Sequence, residues 1–564
     1  MSLLRLLFLS LLVLTPAACG DKPDEKPVQA PVRAAAGAAI AMPDSFSAEV
    51  ASRILAAGGN AVDAAVAVEF TLAVTSPETG NIGGGGFMLI WIGGKAEFID
   101  YRETAPLAAH RDMYLDADGN VIENASRLGH LASGVPGTVA GMWAAHQRHG
   151  TLPWSELLKP AIEFARDGFE VSEHLAQRGM LSSSKFEDYT NFNEYFIGLR
   201  AGALFRQPEL ASVLQRIADT GIDGFYTGET ADLIVAEMKR GRGLITLDDL
   251  ARYQAVWRDP LRGKWRDYEV LSAPPPSSGG WAVIQLLRIK DFLAHEFDGL
   301  EHNSPQYIHL VAEIEKRVFA DRAEYLGDPD HVDVPMDRLL SDDYLRMRAQ
   351  EINAEEISTL DGVGPGLESM ETTHYSIVDQ YGNAVANTFT LNGWFGSGVV
   401  VEGAGFLLNN EMDDFSVKPG TLNMYGVVGN TANEIQPGKR MLSSMSPTIL
   451  LRDGEVALVA GTPGGSTIFT SVFQVIVNIL DFGMTPLEAV GATRFHHQLL
   501  PPDLITFSPS RPLPDEVISQ LSDRGYRAQP HSYRYGDLQV IVRDGDGWDA
   551  ASDPRNRGES RVLH

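Results

Sequence analysis

The stretch 372–396, TTHYSIVDQYGNAVANTFTLNGWFG, marks the point at which the chain changes from helix-like to strand-like sequence. Two runs within it, 375–379 and 384–389, are rich in β-branched and aromatic residues, as β-strands are. The four residues 380–383 that join them contain a glycine, which is typical of a hairpin turn. The stretch therefore predicts a β-hairpin whose first strand begins close to Thr372.

The register of this hairpin decides which side chains lie beside Thr372. If Tyr381-Gly382 forms a two-residue loop, counting back along the ladder places Thr373 opposite Thr390 and Thr372 opposite Leu391. Thr390 would then lie beside the start of the first strand. A register slip of one residue would turn each side chain to the other face of the sheet.

N-terminal to the hairpin, the segment 60–92 predicts a buried helix followed by a buried strand. Asn60 can cap the helix, Asp63 takes the capping-box position, and the residues that follow are apolar nearly all round. Four consecutive glycines, 83–86, then precede the apolar run 88–92. No Lys-Ser/Thr pair follows them, which excludes a phosphate-binding loop. Close packing of this strand against another backbone explains the glycines better.

C-terminal to the hairpin, two short segments interrupt a region of predicted strands and helices. The segment 442–447 contains a pair of serines and leads into a strand. The segment 461–466 is glycine-rich and joins a strand at 456–460 to a long apolar helix. Backbone N–H groups at such a helix entry are unpaired and can stabilise a developing oxyanion. Taken alone, the glycine pair is also what an ordinary turn requires.

The histidines do not form a recognisable catalytic or metal-binding pattern. There is no Gly-x-Ser-x-Gly sequence of a serine hydrolase. In an extended segment the rings of His496 and His497 would point to opposite faces, which suits a shared metal poorly. His374 lies near Thr372, but the sequence offers no partner to orient it as a base.

The bulk composition excludes some partners without identifying a substrate. The 564 residues include 46 Lys and Arg against 74 Asp and Glu, a formal net charge of −28. Nucleic acids and anionic membranes both require a basic surface, so neither is an expected partner. The hydrophobic fraction of 44% is ordinary for a globular protein.

The N-terminus has the layout of an export signal. Residues 1–18 place Arg5 ahead of a short apolar run and end in small residues, as a secretory signal peptide does. The segment up to Cys19 resembles a bacterial lipobox, with Pro16 in place of the usual leucine. Cys19 is therefore the predicted lipidation site, and an ordinary cleaved signal is the alternative. Residues 19–36 are predicted to form a flexible, proline-rich tether.

Several segments taken together resemble one known family. The stretch 372–396 matches, along its whole length, the signature of the γ-glutamyltransferase (γ-glutamyltranspeptidase) family of bacterial type. The resemblance runs from about residue 38 to residue 555. Its further segments are 101–106, 130–137, 274–280, 409–415, 442–447 and 461–466. Each motif taken singly is weak evidence for the family, but their combination is highly specific to it.

The resemblance implies a fold and a processing event. The fold is the N-terminal-nucleophile hydrolase type, a four-layer αββα sandwich of the α/β (α+β) class. The chain would cut itself between Glu371 and Thr372, giving a large subunit, 37–371, and a small subunit, 372–564, that stay together as a heterodimer. Cleavage would give Thr372 an α-amine with a pKa of about 8 that can take the proton of its own hydroxyl.

The resemblance also implies roles for single residues. An arginine fork donates two hydrogen bonds to a planar carboxylate, and carboxylates attract an ammonium group. At the position of Glu411 some bacterial members have glutamine; the acid keeps an acceptor and adds a charge. The implied roles are nucleophile support by Thr390 and Asn392, an oxyanion hole at Gly464 and Gly465, binding of a γ-glutamyl α-carboxylate by Arg102, Ser443 and Ser444, binding of its α-ammonium group by Glu411 and Asp414, and a lid loop that contains Tyr425.

The implied activity is transfer of a γ-glutamyl group from glutathione or a similar compound to an amino acid, a dipeptide or water. No metal or organic cofactor is implied. A glutaryl-type cephalosporin acylase of the same fold is one alternative, but a glutaryl group lacks the ammonium that Glu411 and Asp414 would bind. A surface lipoprotein that lost catalysis is another, and the intact Thr372 argues against it. The signal implies export to the periplasm, with a membrane tether if Cys19 is lipidated.

Overall fold

The computed structural model describes residues 37–359, 371–418, 431–531 and 536–564. The predicted signal peptide, Cys19 and Tyr425 lie outside these residues. The strands are β1 Ala38–Met42, β2 Gly85–Ile92, β3 Lys95–Asp100, β4 Phe169–Glu170, β5 Leu204–Phe205, β6 Val256–Arg258, β7 Leu261–Trp265, β8 Tyr268–Ser272, β9 Glu371–Val378, β10 Ala384–Asn392, β11 Thr448–Arg452, β12 Glu455–Gly461, β13 Phe495–His496, β14 Leu504–Phe507, β15 Arg527–Pro530, β16 Gln539–Asp544, β17 Gly547–Ser552 and β18 Glu559–Leu563.

Helices form most of the remaining structure, with short 3₁₀ turns at His130–Ala132, Glu411–Asp414 and Thr431–Asn433. No helix within the described ranges is both long and apolar enough to cross a membrane. The helices are α1 Ser45–Ala56, α2 Ala61–Thr75, α3 Thr138–His149, α4 Trp154–Asp167, α5 Glu173–Phe186, α6 Phe192–Phe196, α7 Pro208–Thr220, α8 Asp223–Tyr226, α9 Gly228–Gly241, α10 Leu247–Arg252, α11 Gly279–Phe292, α12 Ala294–Phe297, α13 Pro305–Tyr325, α14 Met336–Leu339, α15 Asp342–Gln350, α16 Thr467–Leu480, α17 Pro486–Gly491 and α18 Asp515–Arg524.

Two antiparallel sheets form the centre of the molecule. The first has seven strands in the order β18-β1-β9-β10-β2-β3-β6, and the second has six in the order β17-β16-β12-β11-β8-β7. Their facing sides share one apolar layer that includes Phe87, Leu89, Leu271, Ile449 and Val459. The sheets therefore pack face to face, with alternate side chains of each strand turned inward.

Helices cover the outer face of each sheet. Helices α2, α4 and α7 belong to the apolar core on the outside of the first sheet. Helices α11, α13 and α16 belong to the core on the outside of the second. The layer order is thus helix, sheet, sheet, helix, and the four-layer αββα sandwich expected from the sequence is confirmed.

The hairpin predicted from the opening stretch forms as β9 and β10, but the predicted register is wrong by one residue. Thr372 pairs with Thr390, and Thr373 pairs with Phe389. The turn has three residues and not two, because the Asp379 N–H donates to the Asn383 carbonyl at 2.9 Å. Gly382 takes φ of +79° there, as the last residue of a three-residue loop commonly does.

The helix and glycine segments N-terminal to the hairpin form as predicted. Helix α2 is fully buried, and its N-terminus has the capping box formed by Asn60 and Asp63. The glycines let β2 approach β10 closely. A Cβ on Gly84 would lie 2.1 Å from the Thr390 carbonyl oxygen, and one on Gly86 would lie 2.5 Å from that of Thr388.

Candidate functional site

Thr372 lies at the start of β9, in the middle of the first sheet. It is 7% exposed, and its partner Thr390 is 2% exposed. A bulge follows Thr390, and Asn392 takes the left-handed φ of +71° that bends the strand end. The Asn392 N–H donates to Thr390 Oγ1 at 2.8 Å, and its side-chain amide donates to the Asn410 carbonyl at 2.9 Å. These bonds hold the Thr390 hydroxyl on the strand pair that carries Thr372.

Two cavities meet at Thr372. The larger one, called the large cavity below, has a volume of about 310 Å³ and is also lined by Thr373, Trp394 and Pro463. The other, called the small cavity, has a volume of about 20 Å³, which is room for little more than a water molecule. The small cavity is lined by Arg102, Thr372, Thr390, Asn392, Glu411, Asp414, Ser443, Ser444, Met445, Gly465 and Ile468.

Arg102 is the cation of the small cavity. It follows β3, and its guanidinium bonds Glu411 through one terminal nitrogen and Asp414 through the other. All three side chains are at most 8% exposed. Burial opposes the charge of Arg102, but the two carboxylates outweigh it and raise its pKa. Arg102 is therefore a guanidinium held by two acids, and a substrate carboxylate would have to take the place of one of them.

The acids of the small cavity outnumber its cation. Burial raises the pKa of Glu411 well above its ordinary value, and Arg102 offsets this in part. Burial also raises the pKa of Asp414. Glu103 lies behind them, with Oε2 at 3.9 Å from the guanidinium, and burial raises its pKa to about 8. Arg102 and the more distant Arg322 are two cations acting on three buried carboxylates, so the site favours a further positive group or protons.

Three buried polar atoms in the small cavity have no hydrogen-bond partner among the described residues: Ser444 Oγ, Glu411 Oε2 and Asp414 Oδ1. Buried polar groups are nearly always paired, and unpaired ones indicate a missing ligand or water. A hydroxyl can donate to an anion, and two carboxylate oxygens can accept from a cation. The unpaired set therefore matches a molecule that carries both charges.

The paired serines are fixed by the proline-rich segment 274–280. The Ser443 N–H donates to the Pro276 carbonyl at 2.9 Å, and the Ser278 N–H donates to the Ser443 carbonyl at 2.7 Å. Arg322, on the buried face of α13, donates to Ser278 Oγ at 2.8 Å. The serine pair is thus anchored through its backbone, which leaves the Ser444 hydroxyl for the cavity.

The glycine-rich segment predicted to form an oxyanion hole joins β12 to α16. Gly464 and Gly465 have φ of +138° and +54°, which favour glycine. The Thr467 N–H donates to the Gly464 carbonyl, and the Ile468 N–H to the Gly465 carbonyl, each at 3.0 Å. These bonds shape the first turn of α16. Gly465 lines the small cavity and its neighbour Pro463 lines the large one, so the turn spans both.

The histidines lie away from this chemistry. His374 is fully buried, with ring nitrogens against Thr388 Oγ1 at 2.7 Å and Ser376 Oγ at 3.1 Å, and burial lowers its pKa to about 3. Burial lowers the pKa of His496 and His497 to about 3 as well. In the described part of the chain, no cluster of His, Cys, Asp and Glu could hold a metal ion.

The structure brings together nearly all of the predicted site residues that it describes. Gly464 precedes the cavity-lining Gly465, and Glu371 pairs with Asn392 through the backbone of β9. Sequence reasoning missed Glu103, Met445 and the buried Arg322. Glu103 directly follows Arg102, so an adjacent charge at a buried strand end was the available signal. Arg322 gave none, because helical charges usually face solvent.

The chain is similar to one protein family over most of its length. The family model described as Gamma-glutamyltranspeptidase matches residues 47–563. The "Glutathione hydrolase proenzyme" of Pseudomonas aeruginosa is 58% identical over 527 residues, covering 93% of this chain and 95% of the relative. The protein of the same name from Escherichia coli K12 is 45% identical over 548 residues, covering 94% and 92%.

Two solved structures have related folds. The gamma-glutamyltranspeptidase from Pseudomonas nitroreducens complexed with L-DON is 55% identical with a TM-score of 0.56, covering 57% of this chain and 96% of its own. The cephalosporin acylase from Bacillus halodurans is 27% identical with a TM-score of 0.81, covering 97% and 99%.

Proposed function

This chain belongs to the gamma-glutamyltranspeptidase family, and from that premise we propose that it is a self-processing γ-glutamyltransferase and glutathione hydrolase. It transfers the γ-glutamyl group of glutathione or a related compound to an amino acid, a dipeptide or water. The intermediate is an ester on Thr372. The observation that carries this proposal is the position of Thr372 between a small charged cavity and a large one.

Self-processing makes the nucleophile. The Thr372 hydroxyl attacks the Glu371 carbonyl carbon, the Glu371–Thr372 C–N bond breaks, and the nitrogen takes a proton to become the α-amine. Water then hydrolyses the resulting ester, leaving a carboxylate on Glu371 and a free Thr372 hydroxyl. The bulge between Thr390 and Asn392 lies directly across the ladder from this bond.

The two products have a structural reason to stay together. The first sheet takes β1, β2, β3 and β6 from residues before the cleavage point and β9, β10 and β18 from residues after it. Within that sheet β9 lies between β1 and β10, and β10 lies beside β2. Separation of 37–371 from 372–564 would break these ladders and expose both cores.

Catalysis then uses one residue as nucleophile and base. The α-amine of Thr372 takes the hydroxyl proton while Oγ1 attacks the γ-carbonyl carbon of the donor. Backbone N–H groups at Gly464 and Gly465 stabilise the oxyanion. The C–N bond of the donor breaks, and the leaving amine receives the proton. An acceptor amine or water attacks the ester carbon, and its proton returns the Thr372 hydroxyl.

The γ-glutamyl head group binds at the small cavity, which widens to admit it when the substrate carboxylate displaces a protein carboxylate from Arg102. Its α-carboxylate takes hydrogen bonds from Arg102 and Ser444, and its α-ammonium group donates to Glu411 and Asp414. The unpaired atoms Ser444 Oγ, Glu411 Oε2 and Asp414 Oδ1 support this assignment. Arg102 exchanges a carboxylate of the protein for that of the substrate, which keeps the buried guanidinium paired throughout.

A glutaryl-type acylase is the second candidate, favoured by the TM-score of 0.81 with the cephalosporin acylase. A glutaryl group has the chain length of a glutamyl group but no ammonium. It would leave the buried oxygens Glu411 Oε2 and Asp414 Oδ1 without a donor. Because buried polar atoms without a partner cost binding free energy, the γ-glutamyl substrate is favoured over the glutaryl one.

We also propose export through the signal at residues 1–18, with lipidation of Cys19. Expression in a bacterial host with a radiolabelled fatty acid tests this directly. Label on the wild-type protein that is absent from the Cys19→Ala variant supports a lipid anchor. A labelled host lipoprotein beside an unlabelled wild type leaves only a cleaved signal.

The test of function compares a γ-glutamyl anilide with a glutaryl anilide on the purified, self-cleaved protein, each with and without a dipeptide acceptor. Preference for the γ-glutamyl anilide, accelerated by the dipeptide, supports the transferase. Preference for the glutaryl anilide moves the assignment to the acylase. No release from either, despite cleavage at Thr372, refutes both substrate assignments.

A further inference from the structure

Thr373, the residue that follows the nucleophile, faces the helix layer that covers the first sheet. Successive side chains of a strand alternate between its two faces. Val378 lies on the face of Thr372, and it belongs to the apolar layer between the sheets. Tyr375 lies on the face of Thr373, and it belongs to the core outside the first sheet. Thr373 accordingly lines the large cavity but not the small one.

Three buried hydroxyls connect this strand to the end of helix α2. Thr373 Oγ1 donates to Thr79 Oγ1, which lies 3.0 Å from Ser76 Oγ. Arg557 donates to Ser76 Oγ from the other side. Because each hydroxyl has one proton to give, the order from Thr373 through Thr79 to Ser76 satisfies the donors of both threonines. Thr373, Thr79 and Ser76, called the hydroxyl chain below, are at most 8% exposed.

The turn that carries Ser76 and Thr79 is itself held in place. The Thr79 N–H donates to the Ser76 carbonyl at 3.1 Å, and the Glu78 carbonyl accepts the Phe395 N–H at 3.0 Å. The Glu78 side chain accepts from Arg557, also at 3.0 Å. The turn is thus tied to the segment after β10 and to the C-terminal region. The hydroxyl chain therefore links the start of β9 to a fixed support.

The strand ladders hold the start of β9 on one side only. In the described part of the sheet, β1 pairs with β9 at Ser376–Val378, whereas Thr372 and Thr373 pair with β10 alone. In the uncleaved chain, the pair between Glu371 and Asn392 continues this ladder beyond Thr372. Cleavage makes Thr372 a chain terminus and removes that continuation. Terminal residues are poorly ordered unless they are tied down, so the cleaved form depends more on the hydroxyl chain.

We propose that Thr79 and Thr373 are positioning residues of the cleaved enzyme, whose hydroxyl bond holds the new N-terminal residue Thr372 against the donor. This inference rests on the proposed function and adds two residues to it. A displacement of about 1 Å of a reacting group can cost a hundredfold in rate. Self-cleavage depends less on this bond, because Glu371 still holds Thr372 from the other side. The bond therefore supports turnover more than processing.

The experiment compares turnover with self-cleavage in Thr79→Val and Thr373→Val. The two variants remove opposite ends of one hydrogen bond, so either alone tests it. With a γ-glutamyl anilide and the cleaved protein, we expect kcat to fall about tenfold and KM to stay within about twofold. The rate at which freshly synthesised chain is cleaved, followed on a denaturing gel, should also stay within about twofold of wild type.

Thr71→Val is the matched control. The Thr71 hydroxyl is fully buried in α2 and donates to the Ala67 carbonyl of its own helix, away from both cavities. This variant should leave kcat, KM and self-cleavage unchanged. Thr79→Ser keeps the hydroxyl and should restore kcat. The double variant of Thr79→Val and Thr373→Val should lose no more than about twofold beyond either single one, because both remove the same bond.

The outcomes distinguish failure of the inference from failure of the proposed function. If wild type releases no anilide, the proposed function fails, and the inference that rests on it fails too. If wild type releases anilide but both variants keep the kcat of Thr71→Val, the inference fails and the function stands. A loss of self-cleavage as large as the loss of kcat would make the bond a support of the fold and would likewise overturn the inference.

Discussion

The two cavities that meet at Thr372 differ in size, in charge pairing and in exposure. The small cavity measures about 20 Å³ and holds Arg102 tightly between Glu411 and Asp414, all nearly buried. The large cavity measures about 310 Å³ and is lined by two acids and two arginines, Glu78, Asp537, Arg178 and Arg557, with both arginines close to Glu78. The cavity on one side of Thr372 is small and lined by buried, paired charges, and the cavity on the other side has a much larger volume.

This difference predicts where specificity lies. In the buried cavity, any substrate that leaves a charge unpaired incurs the full desolvation cost of that charge. In the large cavity, Arg178 and Arg557 are about one-fifth exposed, so their charges are partly screened by water and a missing contact costs less. We therefore expect strict recognition of the acyl group, and tolerance of many leaving groups and acceptors. The predictions below test this contrast, beginning with the residue that both cavities share.

Thr372→Ala should abolish self-cleavage and activity together, because it removes the hydroxyl that acts in both. We expect a single uncleaved polypeptide on a denaturing gel and a loss of activity of about 10⁶-fold. Thr372→Ser is the matched variant, since it keeps a hydroxyl and an α-amine, and it should cleave and turn over. A Thr372→Ala protein that still appears as two pieces would place the cleavage chemistry on another residue.

Arg102→Gln should impair turnover of γ-glutamyl donors without preventing self-cleavage. Activity toward every γ-glutamyl donor should fall by about a thousandfold, because two buried carboxylates lose their partner and the substrate loses its fork. Self-cleavage should continue, since attack on the Glu371 carbonyl uses no head group. A gel of the processed protein beside anilide release measures both. Equal failure of cleavage would show that Arg102 supports the fold of the site and not only the substrate.

Asp414→Asn should change the choice of acyl group. The γ-glutamyl anilide should lose about ten- to hundredfold in kcat/KM, because the ammonium loses a charged acceptor. The glutaryl anilide should lose much less, since it has no ammonium to bind. The ratio of the two substrates is therefore the measurement. A ratio that does not move would remove Asp414 from head-group recognition.

Local sequence predicted the elements of the fold that local interactions determine. The capping box of α2 and the glycines that admit β2 against β10 follow from residues near each other in the chain. The hairpin register was not predicted correctly. The side chain of Asp379 accepts hydrogen bonds from the N–H groups of Tyr381 and Asn383 and closes a three-residue loop. Both two- and three-residue loops suit the same glycine, so the pattern could not choose.

The residues of the two cavities also differed in how well the sequence predicted them. The small-cavity residues were found through motifs that resemble a family, and the structure brings them to one place. The walls of the large cavity come from β-turn, helix and C-terminal segments hundreds of residues apart, such as Glu78, Arg178 and Asp537. Each is an ordinary polar residue in its own segment, and only the fold makes them neighbours.

Asp537→Asn should have the smallest effect, and only on the acceptor side. Asp537 lines the large cavity, and burial raises its pKa to about 7. Above that pH the carboxylate is ionised and attracts the ammonium form of an acceptor into the cavity. Below it the group is neutral and resembles the amide. Transfer to glycylglycine should therefore fall about two- to threefold in Asp537→Asn at pH 8.5, as for a partly hydrated charge pair.

The same change should leave hydrolysis of the γ-glutamyl anilide unchanged. The transfer rates of wild type and Asp537→Asn should become equal as the pH falls through about 7. Transfer and hydrolysis measured at several pH values on both proteins give the comparison. A constant difference at all pH values would assign the effect of Asp537 to cavity shape. A loss in hydrolysis as large as that in transfer would mean that Asp537 acts through Thr372, and that the two cavities are not independent.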